Sequence, residues 1–221
     1  MLSRPEIESG YPTELQSFAE LLRSLSPEEA ATPSRCEGWS VADVGAHVAG
    51  GLTDVVNLNL DGAGTPEWTQ RQVDERRGRT PAELADEIDG ATKQAVDLMA
   101  AFDDAAWNGP IPAGGLPGTI GTGIEGLFYD VFLHGDDIRA ATGRPSAGGP
   151  GLRVSVHHVA GLLTDRGYRG VTLRLDGIDE VDVSGGGEKI TGDPLQFVLA
   201  ATGRRDPAPL GLGADINVYA D

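Results

Sequence analysis

The stretch SVADVGAHVAGGLTDVVNL (residues 40–58) has the spacing of an amphipathic helix, yet it sets His47 among the apolar positions Val44, Val48, Leu52 and Val55. Ser40 followed by Asp43 predicts an N-cap with an acidic third position. An imidazole on the face that should be buried needs a reason, because an unpartnered buried polar group is costly.

Three further helices are predicted before residue 148. One spans PTELQSFAELLRSL, with Thr13 as cap and Leu15, Phe18, Leu22 and Leu25 as its buried stripe, and a short capped turn follows at SPEEAA. Another begins at Thr80, with Pro81 at the first helical position and Glu83 closing a capping box, and runs through Leu84, Ile88, Ala91, Ala95 and Leu98. The last is GIEGLFYDVFLHGDDIRAATG, stopped by Gly143 and Pro145. The join from residue 61 to 79 and the Gly/Pro-rich NGPIPAGGLPGTIG read as loops. Four helices so connected predict a bundle.

The last of these helices carries Asp130 four residues before His134, on a face shared with Leu127, Val131 and Ile138. Positions i and i+4 stack on a helix, so both side chains point inward together. Two histidines and a carboxylate form a set that binds Zn²⁺ or a similar ion with positions left open. Spacing alone leaves two readings: a metal centre, or hydrogen-bonded core groups. The adjacent His157 and His158 diverge by about 100° on a helix and do not chelate one ion.

After SAGGPG the texture changes. LRVSVHHVAGLL is helical, GVTLRLDG and EVDVSGG alternate as half-buried strands do, ITGDPLQFVLAATGRR reads strand, turn and helix, and INVYAD reads as a last strand. The predicted architecture is α+β in two domains: residues 1–147 a helical bundle with the metal site, and 148–221 a small α+β domain.

Composition bounds the function. The 221 residues carry a net charge of −17, and ten basic against 24 acidic residues precede residue 148. Nucleic acid and anionic membranes are thereby excluded as partners. No apolar run reaches the roughly 20 residues that span a bilayer. MLSRPEIESGYP lacks the layout of a signal peptide, so a cytoplasmic location is expected. The single cysteine, Cys36, has no base near it in sequence and reads as structural. No Gly-x-Ser-x-Gly elbow is present, which sets aside serine hydrolysis.

SRCEGWSVADVGAHVAG, FYDVFLHGDDIRAATGRP and ITGDPLQFVLAATGRR together resemble the mycothiol-dependent maleylpyruvate isomerase family, across nearly the whole chain. The resemblance implies a DinB-like four-helix bundle joined to a small sterol-carrier-protein-like α+β domain. It implies a zinc centre on His47, Asp130 and His134, although the isomerase pattern has Glu where this chain has Asp130. It also implies mycothiol as co-substrate, activated as a thiolate at the metal and added to an electrophilic small molecule. In an isomerase the thiol leaves after bond rotation; in an S-transferase it stays. Nothing marks a dicarboxylate site beyond a few arginines, which favours the transferase. Arg204 is the candidate catalytic residue and anion holder, with Arg205 and Arg71 as further co-substrate contacts. Trp39 reads as a core anchor where its helix begins. A non-catalytic small-molecule or metal binding protein on the same fold is the alternative, and the chain is expected to be a monomer or homodimer.

Overall fold

The computed structural model describes residues 2–113 and 116–220; Met1, Asp221, and Gly114 and Gly115 of the expected Gly/Pro-rich loop lie outside the described residues. The protein is mostly helical with one small three-stranded sheet, and its contacts divide it into two compact units, Ser3–Ser146, and Ala147–Asp221 together with Met1–Leu2. No helix among the described residues is long and apolar enough to cross a membrane.

The first unit is helical throughout: α1 (Arg4–Arg23), α2 (Pro27–Ala30), α3 (Val41–Val56), α4 (Pro66–Arg76), α5 (Pro81–Ala101), α6 (Asp104–Trp107) and α7 (Ile120–Ala141). The long helices pack in a ring, α1 and α3 each against both α5 and α7, and α4 lies on α3. Phe18, Leu22, Leu84, Ile88, Phe128, Phe132 and Ile138 are fully buried between them. Capping sets the phase of these helices. Thr80 Oγ1 accepts the Glu83 N–H (3.3 Å) while the Glu83 carboxylate accepts the Thr80 N–H (2.7 Å), and Ser40 and Asp43 do the same for α3.

Two expectations are corrected here. The first helix does not begin at Thr13: it starts at Arg4, runs through Pro12, and Thr13 Oγ1 donates back to the Ser9 carbonyl (2.9 Å). Pro12 lacks the N–H that would bond to residue 8, but burial of Ile7 and Tyr11 holds the earlier turns in place. The second correction is α4, which occupies the expected loop. Thr65 caps it by accepting the Trp68 N–H (3.2 Å), with Pro66 at the first position. It buries only Gln72, Val73 and Arg76, so no apolar stripe announces it.

In the second unit, α8 (Pro150–Asp165) and α9 (Pro194–Ala201) accompany β1 (Val171–Leu175), β2 (Val181–Val183) and β3 (Glu188–Gly192). Central β1 pairs antiparallel with β2 and parallel with β3, Leu173 facing Val181 on one side and Ile190 on the other. Asp193 caps α9 as expected, accepting the Gln196 N–H (2.8 Å). The expected final strand is absent among the described residues. A short turn (Ala214–Ile216) stands there, and Arg166 donates to the carbonyls of Asn217, Val218 and Ala220, which therefore need no ladder partner.

Asp179 receives Arg153 Nε (2.8 Å) and faces His157 Nε2 (3.3 Å). The Arg153 hydrogen bond chiefly, helped by His157, lowers its pKa from 3.8 to about 2. An ionised group held low in this way stabilises the fold above its ordinary value and stops doing so as pH falls through about 2. Asp179→Asn is therefore expected to cost stability near neutrality and little at acid pH. The carboxylate is half exposed, so solvent screening keeps the effect small. Denaturant titrations at neutral and acid pH test it; a wild-type-to-variant gap that does not narrow on acidification rules the linkage out.

Candidate metal centre

The capping box of α3 turns His47 toward α7, beside the buried Val44 and Val48, and its side chain is 13% exposed. On α7, Asp130 and His134 project together as the i,i+4 spacing predicts. His134 Nε2 lies 3.3 Å from Asp130 Oδ1, and His47 Nε2 lies 3.5 Å from Asp130 Oδ2. The two imidazoles meet edge to face, with centroids 5.1 Å apart. A tetrahedral ion with bonds of about 2.0–2.1 Å sets its donors about 3.3–3.4 Å apart, so this spacing fits one.

Protons decide what the cluster can hold. His134 Nδ1 donates to Asp137 Oδ2 (3.1 Å), and a carboxylate can only accept, so Nδ1 carries a hydrogen and Nε2 is the nitrogen that meets Asp130. His47 Nδ1 faces Gln72 Oε1 (2.9 Å), again an acceptor. With each Nδ1 turned to an acceptor, both Nε2 atoms face the Asp130 carboxylate, a position that takes either a proton or an ion. The buried carboxylate is balanced by a proton on His134 Nε2, or by a metal cation in that proton's place.

The charges agree. Asp136 and Asp137 are fully buried and share Arg35, whose Nη2 donates to Asp136 Oδ2 (2.6 Å) and whose Nε lies 3.5 Å from Asp137 Oδ1. With Asp130, three carboxylates face one guanidinium; a proton on His134 offsets part of that deficit, and a divalent cation in its place matches it. Burial works against charge on Asp130 and on His134, yet their mutual attraction outweighs it. With help from His47, Asp137 and Cys36, it holds the Asp130 carboxyl well below the usual carboxylate range and the His134 imidazole well above its usual pKa.

A second group, Cys36, His134 and Asp137, is as compact. It differs in that its hydrogens are in place: the Cys36 thiol donates to Asp137 Oδ2 (3.5 Å), as His134 Nδ1–H does. It needs no cation. Cys36 has polar neighbours after all, the Asp137 carboxylate that accepts its hydrogen and His134, whose Nδ1 lies 3.8 Å from Sγ. Those neighbours are distant in the chain and so invisible to local reading. The thiol sits on the Nδ1 side of His134, away from Asp130.

The arginines are placed as follows. Arg71, on α4, donates to Asp54 Oδ2 (2.8 Å) and to Glu75 (3.0 Å), on a face that also carries Glu67 and Asp74. That face is acidic and the guanidinium is engaged by Asp54 and Glu75. Arg204 and Arg205 belong to the second unit, where both backbone N–H groups donate to the Leu199 carbonyl and close α9; Arg204 is half-buried and Arg205 exposed. Trp39 is no core anchor. It is half-buried, its ring stands 5.3 Å from that of His47, and its Nε1 donates to Gln70 Oε1 (3.2 Å), so it covers the imidazole.

Comparison with known proteins identifies the family and the fold. The model of the mycothiol maleylpyruvate isomerase N-terminal domain matches residues 11–139. Uncharacterised proteins from two strains of Mycobacterium tuberculosis are 26% identical over 154 residues, 70% of this chain and 77% of theirs. The crystal structure of the mycothiol-dependent maleylpyruvate isomerase shares the fold at a TM-score of 0.68 and 18% identity, covering 92% of this chain and 90% of that one. Its histidine-to-alanine mutant gives 0.66 and 17% over the same shares.

Proposed function

Because the chain belongs to the mycothiol maleylpyruvate isomerase N-terminal domain family, we propose that it is a cytoplasmic, metal-dependent enzyme that uses mycothiol on an electrophilic small molecule. The observation that carries this reading is the convergence of His47 Nε2, the Asp130 carboxylate and His134 Nε2 at the spacing of a metal donor set. These three residues would hold a divalent ion, zinc by the donor set, which when bound would supply Lewis acidity that lowers the pKa of a thiol.

The chain's own residues do the rest. His47, Asp130 and His134 hold the ion and leave positions open, Gln72 and Asp137 hold the imidazole protons, and Trp39 keeps water from His47. Cys36 is bonded to Asp137 on the far side of His134, so the reacting thiol comes from outside the chain. Arg204 and Arg205 are proposed to hold anionic groups of thiol or substrate. Isomerisation is preferred to S-transfer because the fold likeness to the isomerase extends over 92% of the chain. The ring of α1, α5, α3 and α7 supports a DinB-like four-helix bundle for residues 1–147, and the three-stranded sheet with α8 and α9 supports a sterol-carrier-protein-like domain for 148–221.

The test is turnover of maleylpyruvate, and of model epoxides and enones, with and without mycothiol. Thiol-dependent conversion with the thiol recovered establishes the isomerase, and a stable thiol adduct establishes the transferase. Conversion that persists without thiol refutes the proposal. Saturable thiol binding with no product leaves the non-catalytic binding protein as the function.

A further inference from the structure

We propose that Gln72 is a positioning residue that locks His47 in its Nδ1–H tautomer, and that α4 thereby sets the affinity of the centre for its ion. This rests on the metal reading of the site.

Gln72 is fully buried, and both ends of its amide are used. Its Nε2 donates to Asp54 Oδ2 (2.8 Å) and its Oε1 faces His47 Nδ1 (2.9 Å). Asp54 is itself buried and takes Asn59 Nδ2 on Oδ1 (2.8 Å) and Arg71 Nη2 on Oδ2 (2.8 Å). A carboxylate so surrounded is an acceptor on every side. The Gln72 amide must therefore turn its NH₂ to Asp54, which leaves only its oxygen for His47. Nδ1 must donate, and the Nε2 lone pair must point at Asp130. The order runs from a carboxylate that never touches the ion to the nitrogen that would.

The contrast with His134 sharpens this. A carboxylate, Asp137, orients that ring and cannot be turned round. An amide can be, and without Asp54 either face of Gln72 would suit His47. Losing the acceptor on Nδ1 lets the proton move to Nε2, where it occupies the ligand position. Partners of this kind typically govern about 10–100-fold in metal affinity.

The experiment uses the full chain and two readouts: zinc affinity by chelator competition, and the ¹⁵N shifts of the His47 ring in metal-free protein. Gln72→Leu is expected to weaken zinc binding by about 10–100-fold and to populate the Nε2–H tautomer. In Gln72→Glu with Asp54→Asn the hydrogen bond between the two positions is reversed while His47 keeps its acceptor. That double variant is expected to restore both readouts to near wild type. Wild-type affinity in Gln72→Leu, or an unchanged His47 tautomer, overturns the proposal. An equal loss in the Leu and double variants reduces Gln72 to packing and overturns it too. A wild type that binds no divalent ion refutes the metal reading itself; a binding wild type with an indifferent Gln72→Leu refutes this inference alone.

Discussion

Asp130→Ala is expected to lose stoichiometric binding of a divalent ion and all thiol-dependent turnover while keeping the wild-type fold. Asp130 is the shared member of the cluster, offering Oδ1 to the His134 side and Oδ2 to the His47 side. Removing it leaves two neutral nitrogens, and removes the one negative charge that a cation would touch directly. Loss of an outer partner alone costs about 10–100-fold in affinity, so loss of this ligand should exceed that. The side chain is about one-third exposed, so no core cavity forms, and the stability lost is that of its attraction to His134, a loss that a folded-state spectrum should show the variant to survive. His47→Ala should empty the site equally, and Asp130→Glu should retain an ion. Metal content by mass spectrometry on untagged protein decides the matter. An Asp130→Ala variant with its full complement of metal would disprove the assignment. A wild type that stays empty after dialysis against zinc returns His47 to the role of a core histidine.

Much of this geometry is legible in the sequence because it is local. Capping boxes at Ser40 and Thr80 depend on residues three apart, and the Asp130–His134 stacking depends on helical pitch; both survive any tertiary arrangement. What surrounds the ligands is not local. Cys36 and Asp137 meet His134 across 98 and three residues, and the first cannot be inferred from spacing. Gln72 was hidden more deeply, because α4 is too polar to show a periodic stripe. Its one signal is the Thr-Pro opening at residue 65, which α5 shares at Thr80 with the addition of a capping-box Glu83. Apolar content also misleads at two places. Trp39 covers the site instead of filling the core. The INVYAD tail buries Ile216 and Val218 without forming a strand, because Arg166 supplies the donors that a neighbouring strand would.

Gly50→Ala is expected to destabilise the helical unit and disturb the centre, although alanine is the better helix former. The Gly50–Gly51 pair in the opening stretch looks like a weakness in α3, since glycine costs up to about 1 kcal/mol against alanine in a helix interior. Its use is close approach. A Cβ at Gly50 would stand 2.6 Å from Gln72 Cβ and 2.9 Å from Arg76 Nη1. Gln72 Cβ is fixed to the α4 backbone and cannot swing aside, so α4 itself must move. Overpacking of this kind costs about 1–3 kcal/mol, which outweighs the propensity gain. The displacement also carries Gln72 away from His47, so metal affinity should fall with stability. Gly90→Ala is the matched control: Gly90 lies exposed within α5, a Cβ there meets nothing within 4 Å, and the substitution should stabilise by about 0.5–1 kcal/mol. Thermal unfolding and zinc titration of both variants test the pair. If Gly50→Ala is as stable and binds as tightly as Gly90→Ala, α4 is not held against α3 through this contact. The glycine pair would then have no part in placing the residue that orients His47.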